Sequence, residues 1–367
     1  MADPFTIYAP FTSLPDAELF AQLAPGASIT SGPEGATVVA WPDVKVTFRA
    51  MAREQLGEHL QGLMGFVKKN GGSTALTIRV MHAIGVFVGT IEPAFDRDAG
   101  NKAFTLCAQL TSASTGFAFS GGTLYDGQGR DLLRDGLARP SAEDVARRAE
   151  VLLACAVRGL LEDDAGGADE SAAEALRQEV LAWVADDEER EEASEPGEIA
   201  FLGAPIGRAR PQERVDRIWA AEAACAMLWA LGEYELPQFS TSEHPYQLAK
   251  KVGVRGEPAL TSPALRSDEE LEAMRVRLTA IHWRLVEHRL NPAKPVDFAE
   301  FAQRGGWLPV FSTDGLPLLE NDLAIDGEPL SRVANAASAR SIARERQRGI
   351  LWVLGVHPIF SRVDAPT

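Results

Sequence analysis

The sequence predicts an α+β protein, with a small mixed α/β-sheet domain over residues 1–138 and a mainly α-helical domain over 139–367. Three observations carry this. Short β-rich runs interleave with helical spacing and tight turns in the first third, without the regular rhythm of a doubly wound sheet. Beyond Pro140-Ser141 the apolar residues of the periodic segments recur at steps of three and four. A chain of 367 residues also exceeds the usual size of one domain.

In the first domain, Ala36 to Trp41 and Val44 to Phe48 are β-rich and meet at Pro42-Asp43, which suggests a hairpin. Residues 52–69 then take helical spacing, with Leu56, Leu60, Leu63 and Val67 on one face, and Asn70-Gly71-Gly72 stops them. Ala75 to His82 fits neither period well. Ile84 to Ile91 alternates as a strand closed by Glu92-Pro93. Residues 102–113 read as a helix containing Cys107, and Gly116 to Phe119 with Thr123 to Tyr125 flank a Gly121-Gly122 turn. The expected result is a small mixed sheet with helices on one face.

In the second domain, Ser141 with Asp144 resembles a capping box, and Val145, Val151, Leu152, Cys155, Leu160 and Leu161 form the stripe behind it. A second amphipathic helix covers about 171–185. Residues 186–198 are mostly charged and read as an acidic, solvated linker. Arg214 to Gly232 is the strongest helical signal, apolar nearly all round from Ala223 to Leu231, so it belongs at the centre of about five helices. Gly232 stands where a left-handed residue would end it. Residues 238–266 look irregular. Ser267 with Glu270 caps a long helix that ends at Asn291-Pro292, Trp307 to Asn321 reads as loop, and the last helix spans about 333–354 up to Gly355.

Charge is concentrated. Between Glu162 and Glu198 fifteen acidic residues face only Arg177 and Arg190, so thirteen of the sixteen net negative charges lie there. Such a segment repels nucleic acid and anionic lipid and attracts a basic partner. No run of eighteen apolar residues is present, and the first residues lack the basic and apolar stretches of a secretion signal. The expectation is a cytoplasmic protein. Cys107, Cys155 and Cys225 are far apart in apolar helical patterns, which suits small buried hydrophobes and neither disulfides nor zinc.

Among polar residues, Glu222 is the most informative. It shares a helix face with Val215, Ile218, Cys225 and Trp229, and a buried carboxylate demands a partner or a shifted pKa. Arg344 and Arg346 are candidate partners, in either a structural ion pair or a binding site. A general base at Glu222 is the sharper alternative. His244, within Ser242-Glu243-His244-Pro245-Tyr246, is the other catalytic candidate, although no Gly-x-Ser-x-Gly elbow accompanies it. His282 and His288 are six apart and miss metal-binding spacing, so no metal is expected. The pairs Gly71-Gly72, Gly121-Gly122, Gly166-Gly167 and Gly305-Gly306 lack a phosphate-loop or dinucleotide pattern, and no cofactor is expected. Arg340, Arg344, Arg346 and Arg348 mix with Glu345 and do not form a nucleic-acid face.

Several segments together resemble the bacterial family named domain of unknown function 4272. They are Glu143 to Ala149, Glu198 to Leu202, Trp219 and Glu222 with Leu228 to Gly232, Asn321 to Gly327, and Ala343 to Arg346 with Leu351 to Gly355. Their order and spacing extend over about residues 141–367. The chain departs from the family at Ala220, where an arginine is usual, and in its tail from Arg362 to Thr367. The resemblance implies a helical fold and brings no activity with it.

The leading functional expectation is a non-enzymatic protein-binding module, of which an immunity-type protein neutralising a basic partner is one concrete form. The competing expectation is a hydrolase or other enzyme whose site, between the two domains, uses Glu222, His244 and nearby arginines. A Glu222 sealed against an arginine favours the first, and one lining a deep polar cleft favours the second.

Overall fold

The computed structural model describes residues 5–9, 12, 13, 15–92, 97–165, 170–256, 259–304 and 308–365. Pro93, the Gly166-Gly167 and Gly305-Gly306 pairs, Trp307, the first four residues and the last two lie outside them. The chain divides into two compact units. The first comprises the residues up to Ala138 together with Gly355–Arg362, and the second Arg139–Leu354 together with the residues after Arg362.

The first unit contains strands β1 (Phe5–Ala9), β2 (Ser28–Ser31), β3 (Thr37–Ala40), β4 (Lys45–Ala50), β5 (Gly85–Glu92), β6 (Phe117–Ser120) and β7 (Thr123–Tyr125). Its helices are α1 (Ala17–Leu23), α2 (Arg53–Lys69), α3 (Thr74–Met81) and α4 (Arg97–Ala113). The expected hairpins are present, with Val39 opposite Val46 and Phe119 opposite Leu124. The uncertain stretch after Ser73 is helix α3, begun by the Ser73 side chain accepting the Leu76 N–H.

Two expectations need correction. The sheet is not small and mixed: seven strands run in the order β2-β3-β4-β5-β1-β6-β7, and all described pairings are antiparallel. Nor are the helices on one face. Ile7, Val46, Phe48, Phe87 and Ala118 pack with Phe20 of α1 and Leu106, Cys107 and Leu110 of α4. On the opposite face, Tyr8, Val86, Phe117 and Leu124 pack with Leu60, Leu63 and Val67 of α2 and Leu76 and Val80 of α3. The strand at the middle of this arrangement is β1, buried at all five residues and absent from the sequence expectations. Covered on both faces, it has no polar alternation to betray it.

The second unit holds five long helices, α5 (Ala142–Ala165), α6 (Glu170–Ala185), α9 (Pro211–Ala230), α11 (Asp268–Leu290) and α13 (Ala337–Val353). These are the five expected. Between them lie short helices that the sequence did not suggest: α7 (Glu188–Ala193), α8 (Pro196–Gly203), α10 (Pro245–Val252) and α12 (Phe298–Arg304). A three-stranded antiparallel ribbon of β8 (Leu318–Leu319), β9 (Asp322–Ile325) and β10 (Glu328–Pro329) completes it.

Helix α9 sits at the centre, with Ala220 to Ala230 continuously buried between α5 and α13. Both capping boxes are formed, Asp144 N–H donating to Ser141 Oγ at 3.1 Å and Ser267 N–H to Glu270 Oε2 at 3.0 Å. Gly232 ends α9 at φ +72, as its position requires. The three cysteines are buried thiols, and burial pushes Cys107 and Cys225 up to about 12.

Gly349 sets the spacing between α9 and α13, because a Cβ there would lie 2.6 Å from the Ala223 carbonyl oxygen. Helix propensity alone would reward Gly349→Ala by about 1 kcal/mol. Displacing one backbone against another costs about 1–3 kcal/mol, and that term should win. Chemical denaturation should therefore show a net loss for Gly349→Ala. A gain would mean that the two helices have slack between them.

Candidate functional site

Glu222 and Arg346 come together from α9 and α13. Arg346 Nε donates to Glu222 Oε2 at 2.8 Å, and both side chains are buried. The rest of the guanidinium is spent on backbone. Its Nη1 donates to the carbonyls of Pro237 and Gln238 at 2.8 and 3.2 Å, and its Nη2 to that of Thr241 at 2.8 Å. Glu222 Oε1 accepts the Glu243 N–H at 3.1 Å. Burial raises the Glu222 carboxyl above its ordinary range, opposed by Arg346 and by the Glu243 amide. The pair thus holds segment 237–243, which has no regular structure, against two helices. Neither carboxylate oxygen is left facing a reactant, and Glu222 is sealed against an arginine.

The other candidates lie elsewhere. Arg344 is half exposed, 3.7 Å from Glu345 and 3.9 Å from Asp364, and does not join Glu222. His244 is exposed and caps α10: its Nδ1 accepts the Tyr246 N–H at 3.3 Å while its ring stacks on Tyr246. His282 and His288 are buried and separately engaged, with Gln347 Oε1 at 2.7 Å and the Val333 carbonyl at 2.9 Å. Among the described residues, no group of three or more His, Cys, Asp and Glu side chains is placed to hold a metal.

Sequence reasoning missed two further buried pairs of the same design. Arg148 of α5 grips Glu198 of α8 with both guanidinium ends, at 2.7 Å each, and Arg217 of α9 reaches Glu198 at 3.2 Å. Arg284 of α11 grips Asp322 of β9 at 2.8 and 2.5 Å. Each joins an irregular or short segment to a long helix through a bidentate fork. A signal existed for the first: Arg148 interrupts the apolar stripe of α5 one turn after Val145.

The acidic linker is accordingly not a solvated loop. Residues 188–193 and 196–203 are helical, Arg190 stacks at 3.9 Å on the Trp183 ring, and Arg147 pairs with Glu150, Asp187 and Glu189. Glu198, the last acidic residue of the stretch, is 1 % exposed. The charge nevertheless ends on a surface, since Glu188, Glu189, Glu191 and Glu192 of α7 are exposed.

The segment built on Arg148, Glu198 and Glu222 is the one that comparison picks out. Residues 135–301 match the family model "Domain of unknown function (DUF4272)". The DUF4272 match covers α5 to α11 and the first residues of α12, including Glu222 and His244, and stops before Asp322, Arg344 and Arg346. The resembling motifs at Asn321 to Gly327 and Ala343 to Gly355 lie beyond the matched residues. No curated protein and no solved structure matches the chain. Among the described residues, no helix is long and apolar enough to cross a membrane.

Proposed function

We propose that this chain is a cytoplasmic, non-enzymatic binding protein whose α7 surface takes a basic macromolecular partner, with an immunity-type neutraliser as its most concrete form. The observation that supports this reading is the framing of α7. Four exposed glutamates stand on one short helix, and that helix is pinned by Arg147 on one side and by the buried Arg148–Glu198 pair just after it. Charges held in place steer a cationic partner without first having to be ordered. The sealed Glu222 supports the same reading, because its carboxylate is consumed by Arg346 and the Glu243 amide.

The test compares the full chain with a variant carrying glutamine at 188, 189, 191 and 192, used as bait in the host lysate at low and moderate salt. The expected result is one basic protein retained by the wild type, lost as salt rises, and associating at least about tenfold more slowly with the variant. Equal retention by both baits would sink the proposal.

A further inference from the structure

We propose that Arg79 and Arg362 of the first unit form a binding site for a phosphate-type oxyanion. Both side chains rest on the turn between α4 and β6. Arg79, in the last turn of α3, donates through Nη2 to the carbonyls of Gly116 at 3.0 Å and Thr115 at 3.4 Å. Arg362 Nη1 donates to Thr115 Oγ1 at 2.6 Å and lies 3.5 Å from the Ser114 carbonyl. The turn itself is held in an unusual shape. Thr115 adopts φ +50, a left-handed conformation that a β-branched residue reaches only under strain.

Thr115 is a positioning residue, not a nucleophile. His357 Nδ1 lies 3.0 Å from both the N–H and the carbonyl oxygen of Ile359, and its Nε2 is in hydrogen-bond contact with Thr115 Oγ1 at 3.0 Å. Thr115 Oγ1 in turn donates to the Ser114 carbonyl at 2.6 Å. Burial, with the neighbouring Arg79 behind it, pulls His357 down to about 4, so the imidazole is neutral at physiological pH. The two guanidiniums are therefore anchored by neutral oxygens.

What is missing is a counter-charge. Arg130, Arg134, Lys45 and Lys102 in this unit each meet a carboxylate, whereas among the described residues the surface cations Arg49, Arg53, Lys68 and Lys69 meet none and, unlike Arg79 and Arg362, are not gathered on the turn at Thr115. Among the described residues, Arg79 and Arg362 meet none within salt-bridge distance. The acid whose field reaches Arg79 is Asp126, and it is already taken up by Arg130 and by the backbone amides of Gln128 and Arg130. In a chain of net charge -16 this is an uncompensated positive spot. It opens to solvent, since Arg362 is exposed and Arg79 half-buried. Two fixed guanidiniums call for two negative charges on a compact group with several acceptor oxygens, which is a phosphate dianion and not a single carboxylate.

The experiment is isothermal titration of the full chain with inorganic phosphate, slightly above neutral pH and at constant ionic strength. Acetate serves as the monoanion control, and phosphoserine distinguishes a phosphate monoester from the free ion. The expected result is one saturable phosphate site that acetate does not fill, weakened at least about tenfold in both Arg362→Gln and Arg79→Lys, the latter keeping charge but losing the fork. Tighter binding of phosphoserine than of phosphate would assign the site to a monoester, and the reverse to the free ion; either supports it. If Arg79→Lys fails to fold, the exposed Arg362→Gln decides alone. Equal phosphate titrations in wild type and Arg362→Gln, or equal filling by acetate, would overturn the proposal. So would a non-saturating heat common to all variants, which is the signature of non-specific ion association.

Discussion

Replacing Arg346 with methionine should lower the stability of the helical unit by about 3–5 kcal/mol, because it strands a buried carboxylate and three backbone carbonyls at once. Glu222→Gln should cost less, about 1–3 kcal/mol, since its single amide oxygen can accept from Arg346 or from the Glu243 N–H but not from both, while three backbone carbonyls still hold the guanidinium. Replacing both partners by apolar residues of similar volume should recover part of the loss. Urea denaturation followed by tryptophan fluorescence reads all three, because Trp229 and Trp352 lie on the same two helices as the pair. If Arg346→Met unfolds at the wild-type midpoint, the pair is not what holds segment 237–243, and Glu222 regains its standing as a chemical group.

Glu198→Ala should be nearly as damaging, again about 3–5 kcal/mol, because it leaves Arg148, 2 % exposed, without the fork that both its ends occupy. Its signature should also be local. Hydrogen exchange in α7 and α8 should accelerate well before global unfolding, since the Arg148–Glu198 pair ties α8 and the carbonyl of Ala193 to α5. Unchanged protection there would mean that Trp183 stacking and Arg147 suffice to hold the acidic helices. The same variant would then leave the charge presentation of α7 intact and uninformative about partner capture.

The contrast between Glu222 and Glu198 shows how much of the site was legible. Glu222 declared itself by its place on an apolar helix face, and an arginine partner was foreseeable because Arg344 and Arg346 both lie on the last long helix. Which arginine it meets was not foreseeable. Arg344 and Arg346 are two residues apart, and only the rotation of α13 against α9, fixed where Gly349 meets Ala223, sends one inward and the other to solvent. Glu198 was hidden for the opposite reason, since a carboxylate inside a long acidic run reads as solvated until an arginine from α5, fifty residues earlier, is brought onto it.

By itself the sequence determined the fold class, the five long helices, the capping boxes at Ser141 and Ser267, the two flanking hairpins and the buried state of the cysteines. These depend on interactions between residues a few positions apart, which periodicity and capping chemistry record. Only the tertiary structure decided that β1 is a central strand, that the sheet is covered on both faces, and that the acidic stretch is folded. It also decided that Arg79 and Arg362 share one turn. Those features depend on burial and charge pairing between residues distant in the chain, and a pattern read along the chain carries no signal for a contact made across it.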